Sequence, residues 1–190
     1  MSDSAGDSAV VDFSGHEETD VAAAVEGVLV GLRTPWLREG AEQTAAATDA
    51  DAPLPSAAQR FVTVLELAYL IASADGFARA ERQSLSYLLQ SVTGSAVKQA
   101  DLERHFSDLD HAVAAMGRRE RMAASAASID DDDGRQETIM LTALIAMADG
   151  TLSRTEMDAL TELATHMEMP LDRTEALVHK VAAYVREALA

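Results

Sequence analysis

The sequence predicts an all-α fold, a bundle of about seven helices that uses one helix-turn-helix hairpin twice. Three observations predict it. A heptapeptide, Leu70-Ile71-Ala72-Ser73-Ala74-Asp75-Gly76, returns as Leu144-Ile145-Ala146-Met147-Ala148-Asp149-Gly150. A glutamate follows each copy, Glu81 or Glu156, and then leucines on a helical spacing: Leu85 and Leu88 in one, Leu160 and Leu163 in the other. Hydrophobic residues make up 48% of the chain but aromatics only 4%, so the core must be Ala, Leu, Val, Ile and Met. That palette suits close-packed helices better than a sheet.

Residues 1–19 are rich in Ser, Asp and Gly and read as disordered. Residues 20–55 read as an N-terminal helical extension and linker. Val21, Val25, Val28, Leu29 and Leu32 form one apolar stripe, with Asp20 placed as its cap. Pro35 ends or kinks that helix, and Trp36-Leu37 opens a second short one. The Ala/Thr/Asp-rich run from 44 to 56, with Pro53 and Pro55, reads as linker.

Residues 56–190 form the globular domain. From Ala57 to Ala74 the chain is apolar almost all round, which places this helix at the centre of the fold. Ile139–Ala148 has the same character, so two central helices should pack on each other, each ending at Asp-Gly. Residues 79–93 and 154–168 are amphipathic and should cover that pair. Between the copies, Ser95–Phe106, Asp108–Met116 and Arg118–Ile129 are helical in pattern, with a break capped at Ser107-Asp108. Pro170 opens the last helix, Leu171 to about Leu189.

Charge and cysteine content exclude several function classes. The formal net charge is −17, from 32 acidic and 15 basic residues, with Lys98 and Lys180 the only lysines. Such a field repels nucleic acid and anionic lipid and favours cations and basic protein surfaces. With no cysteine, disulfides, thiol catalysis and thiolate metal sites are excluded. The acidic N-terminus lacks the basic region of a secretory signal. Ile139–Ala148, the longest nearly apolar stretch, is about half a bilayer span. The expectation is a soluble, intracellular protein that does not insert in a membrane.

The repeated motif has two readings. Gly76 and Gly150 sit where a helix must end, and glycine closes a helix in the left-handed conformation. Asp75 and Asp149 then stand at helix C-termini, while Glu81 and Glu156 fall in the first turn of the next helix. Two carboxylates at one turn suit a hard cation, calcium or magnesium, held weakly because so few oxygens converge. Local roles explain the same residues. Ser153-Arg154-Thr155-Glu156 is a capping box, and Asp149 can accept turn amides. In the first copy Ala78 holds the cap position, so Glu81 lacks the reciprocal partner. Neither loop has the alternating acidic positions of an EF-hand.

Asp130-Asp131-Asp132-Asp133-Gly134 is the densest charge run. It precedes the second central helix, where carboxylates are favoured, with Asp132 or Asp133 near the start. It is also a candidate contact for a basic partner. The Val21, Val25, Leu32 and Trp36 stripe either folds back on the domain as an extra packing helix or forms a separate docking element for a protein partner. Catalysis finds little support. His105, Asp108 and His111 spread over a third of a helix, a weak metal signal, and no phosphate loop, nucleophile elbow or paired-His zinc motif is present.

The segments Ser73-Ala74-Asp75-Gly76-Phe77-Ala78-Arg79-Ala80-Glu81 and Met147-Ala148-Asp149-Gly150-Thr151-Leu152-Ser153-Arg154-Thr155-Glu156 resemble the duplicated turn of the TerB family of tellurite-resistance proteins. The resemblance covers roughly residues 57–190. It implies an all-helical, pseudo-twofold domain of about seven helices. It also implies a cytoplasmic, non-enzymatic protein of a tellurite, phage and colicin stress response, working at the inner membrane face with membrane-associated and calcium-binding partners. The family positions that carry over are Asp75, Gly76, Glu81, Asp149, Gly150 and Glu156. The expectation is an interaction module whose acidic face meets a basic protein partner or a divalent cation. The rival readings are a metal-dependent hydrolase using the Asp/Glu pairs and a scaffold or cargo protein docked through its N-terminal segment.

Overall fold

The structure, a computed structural model, describes residues 9–32, 35–46, 56–74, 76, 82, 85, 86, 89, 90, 93 and 96–190. Among these it holds eight α-helices: α1 (Glu18–Gly31), α2 (Pro35–Ala46), α3 (Ser56–Ala72), α4 (Gln99–Met116), α5 (Arg118–Ala126), α6 (Asp132–Ala146), α7 (Arg154–His166) and α8 (Leu171–Leu189). A 3-10 turn, Met147–Asp149, follows α6. Two short strands, β1 (Val11–Asp12) and β2 (Thr151–Leu152), pair antiparallel with Val11 opposite Leu152.

The all-α expectation holds, and α3 and α6 are the central pair. Eleven residues of α3 and nine of α6 are buried, on every side of each helix, and the two pack on each other. Leu85, Ser86 and Leu89, in the segment after the first turn, are helical and buried. α7 lays Met157, Leu160 and Leu163 on the core, and α8 adds Leu177, Val178, Val181 and Val185. Pro170 stands at the N-cap of α8 as expected.

The N-terminal segment differs from its reading. Residues 9–19 are not disordered: β1 pairs with β2, and Val11 and Phe13 are buried while Asp12 faces solvent. Three residues with alternating sides were too short a pattern to stand out as a strand. The apolar stripe of α1 does not form a separate docking element. It packs against α8, α6 and the 3-10 turn, and Val21 and Val25 are fully buried. A free amphipathic helix of this length is marginal in water, and burying its stripe resolves that. α1 begins one turn ahead of the expected cap, at Glu17, which makes no side-chain cap bond, so Asp20 lies in the first turn.

α2 runs to Ala46, three residues into the run read as linker. It approaches α3 so closely that a Cβ on Gly40 would lie 2.3 Å from the Ala57 carbonyl oxygen, so only glycine fits there. Gln99–Met116 is one helix with no break at Ser107-Asp108. Leu102, Phe106 and Leu109 share one buried face across that point, and continuous burial outweighs a local capping signal. The helix ends at Gly117, with φ +90°, at the boundary expected between Met116 and Arg118.

Candidate functional site

The second copy of the motif can be followed atom by atom. After α6 the chain tightens into the 3-10 turn, and Gly150 N–H donates to the Met147 carbonyl at 3.0 Å. Gly150 has φ +104°, a conformation that side-chain-bearing residues rarely adopt. The exposed Asp149 carboxylate accepts from Thr151 N–H at 2.9 Å. Glu156 is buried and completes the capping box: Ser153 N–H donates to Glu156 Oε2 at 2.8 Å, and Glu156 N–H donates to Ser153 Oγ at 3.1 Å. Both carboxylates of this hairpin thus have local structural work, and one of them is out of solvent.

In the first copy Gly76 takes the same conformation as Gly150, with φ +104°, and its N–H donates to the Ser73 carbonyl at 3.3 Å. Asp75 and Glu81, the first-copy cation candidates, lie outside the described residues. Among the described residues no three His, Asp or Glu side chains are arranged to hold a metal ion.

The aspartate run divides its labour. Asp131 is the N-cap of α6 and accepts from Gly134 N–H at 2.6 Å, one residue ahead of the expected start. Asp132 takes both arms of Arg173, at 2.9 and 3.3 Å, which ties the N-terminus of α8 to that of α6. Asp130, Asp133 and Asp172 are exposed around that junction. Two helix N-termini therefore meet under one cluster of carboxylates, where the helix dipoles offset part of the crowding.

The remaining partner candidates belong to the fold. Trp36 Nε1 donates to Glu137 at 3.0 Å, and Arg60 bridges the two, its guanidinium 4.7 Å over the indole and 2.8 Å from the same carboxylate. Leu32 is half-buried and lines an open cleft of about 390 Å³ between α1 and α8, with Gly27, Gly31, Tyr184 and Ala188.

Two buried polar centres were not singled out in the sequence. Glu66, in α3, is 4% exposed and is held by Arg121 and by Ser125 Oγ at 2.8 Å. A lone acid inside a helix apolar all round was the signal that could have flagged it. His105 lies against this centre. Burial pushes its pKa below 6.5, with Arg121 adding to the effect and Glu66 and Asp108 opposing it. The second centre is Tyr69, stacked on Phe106 at 4.7 Å and donating to Asp110 at 2.5 Å, with Arg82 bonded to both. Burial, then the bond to Asp110, pushes the phenol up to about 12. No helix among the described residues is long and apolar enough to cross a membrane.

Fold and site together define a class: an all-helical module built on two central helices that each end in an Ala-Asp-Gly turn. The family model for tellurite resistance protein TerB matches residues 61–186, and the chain belongs to that family. No curated protein and no solved structure matches it. The matched range leaves β1, α1 and α2 outside, although all three are packed into the same core.

Proposed function

We infer that this TerB module acts without catalysis, as an interaction element of a tellurite-linked stress response, and that its acidic face meets a basic protein surface. The observation that carries this reading is how the arginines are used. Seven of them, Arg38, Arg60, Arg82, Arg104, Arg119, Arg121 and Arg173, are engaged in internal ion pairs. Seven of the fifteen basic residues are thus paired within the chain, one acid for each, and the acidic surplus remains on the surface. It is densest at Asp130, Asp133 and Asp172, above the joined ends of α6 and α8. A field of this sign steers basic partners towards the surface. A partner on the inner membrane face fits the same reading, the module being held there by protein contact.

Divalent cations are the weaker ligands of this face. The Asp149 and Glu156 oxygens already serve the turn and the cap, which leaves calcium short of the six or more oxygens it prefers. Calorimetric titration tests both halves. Calcium and magnesium should bind only weakly at physiological salt. An oligo-arginine peptide should bind with an affinity that falls steeply between low and physiological salt. Sub-micromolar calcium binding abolished by Asp149→Asn, or peptide binding indifferent to salt, would reverse the assignment.

A further inference from the structure

The N-terminal segment sits on the second Asp-Gly turn. Val10 N–H donates to the Leu152 carbonyl at 2.7 Å, and Phe13 N–H donates to the Gly150 carbonyl at 2.8 Å. Val11 and Phe13 fill an apolar notch beside Leu152, and the Arg186 guanidinium stands 5.6 Å over the Phe13 ring. Asp12 points outward and accepts from Ser14 N–H at 2.7 Å. The chain then leaves through Ser14, Gly15 and His16, all exposed, before α1 begins. This is β-augmentation performed in cis: main-chain bonds hold an extended segment on a strand edge, and alternate side chains enter pockets. The family match begins at residue 61, so the segment lies outside the matched range and pairs with a strand inside it.

We propose that the β2 edge and its apolar notch are a docking groove for an extended partner segment of the pattern apolar-polar-aromatic, and that Val11-Asp12-Phe13 fills this groove in cis until a partner segment displaces it. The chemistry of the occupant defines the partner. It supplies a branched aliphatic side chain for the notch, an outward polar residue, and two positions after the aliphatic an aromatic ring that the Arg186 guanidinium can cover. Displacement is cheap compared with unfolding. Two-residue strands are marginal alone, and the exposed tripeptide Ser14-Gly15-His16 lets β1 leave while α1 stays buried. A partner seated there lies against the second Asp-Gly turn, which the cis segment otherwise covers. This proposal is independent of the acidic-face reading, since Asp130 and Asp133 play no part in it.

The test uses the full chain. Val11→Asp/Phe13→Asp places two charges in the notch and should expel the segment. A fluorescein-labelled peptide of residues 9–16 is the probe, read by anisotropy. The double variant should bind it and the Phe13→Ala peptide should not. A tethered segment competes at an effective concentration of about 1 mM, so if the open groove binds the peptide at about 0.1 mM, the wild-type chain binds it about tenfold more weakly. Equal binding to both chains, or no binding to a double variant that keeps its helical circular dichroism, overturns the proposal. A double variant that cannot fold overturns it as well, because the segment is then obligatory core. Hydrogen exchange in the wild type gives a second reading. The Val10 and Phe13 amides should exchange about 100-fold faster than that of Val178 in α8, through openings that leave the helices protected. Matching protection would contradict displacement. Concentration-dependent dimers abolished by Phe13→Asp would assign the groove to a second copy of the chain instead of a partner.

Discussion

Two valines on α1 offer a paired experiment on whether the N-terminal helix is structural. Val25 is 0% exposed and Val30 is 65% exposed. Valine to alanine removes the same two carbons at each site. At Val25 the lost transfer energy is about 1.6 kcal/mol, taking about 0.8 kcal/mol per buried carbon. The cavity left among α1, α8 and the 3-10 turn adds about 1 kcal/mol. Alanine returns about 0.5 kcal/mol as the better helix former. The net expectation for Val25→Ala is a loss of about 2 kcal/mol, or about 4–8 °C in melting temperature for a chain of this size. Val30→Ala keeps only the propensity gain, so it should change stability by no more than about 0.5 kcal/mol, in the stabilising direction. Urea unfolding followed by circular dichroism measures both, with an unchanged slope as the check that unfolding remains two-state. If Val25→Ala costs less than about 0.5 kcal/mol, α1 is a peripheral appendage and the account of residues 18–31 fails.

Other expectations follow from the same contacts. Ser153→Ala removes one arm of the capping box and should cost about 1 kcal/mol in urea unfolding, while calcium titration should be unaffected. Tyr69 should be the last tyrosine to ionise in an absorbance titration. Its pKa is raised to about 12, so the stability it contributes is complete below pH 10 and drains as pH rises through 12, and Tyr69→Phe should remove that step. Burial holds His105 below 6.5, so its contribution is complete above that pH and is lost as pH falls towards the folded value. His105→Gln should flatten the fall in melting temperature between pH 7 and 5, and an unchanged profile would remove His105 from the Glu66 centre.

The central pair, the Asp-Gly turns and the last helix were legible because each rests on a strong local signal: an all-round apolar run, a glycine that ends a helix, a proline that opens one. Gly76 and Gly150 share one φ, as the repeat required. The capping box at Ser153 and Glu156 was readable for the same reason, being local in sequence. What escaped depends on distant partners. Nothing near Val11 announces that its complement is Leu152. The pairing of Glu66 with Arg121 spans 55 residues and is decided by how α3 and α5 meet. The Ser107-Asp108 break was misread because a capping signal is local, whereas the burial of Phe106 and Leu109 that overrides it is tertiary.

The most direct test of the acidic-face account compares two variants with one probe. Oligo-arginine peptide is titrated calorimetrically into the wild type, into Asp130→Asn/Asp133→Asn, and into Glu156→Gln. The exposed carboxylates carry the interaction and the buried motif glutamate carries the fold. The Asp130→Asn/Asp133→Asn chain should therefore bind several-fold more weakly at unchanged melting temperature, and the Glu156→Gln chain should bind like the wild type while melting lower. Binding lost in Glu156→Gln at unchanged stability, with the aspartate variant unaffected, would place the function in the repeated motif and contradict the account.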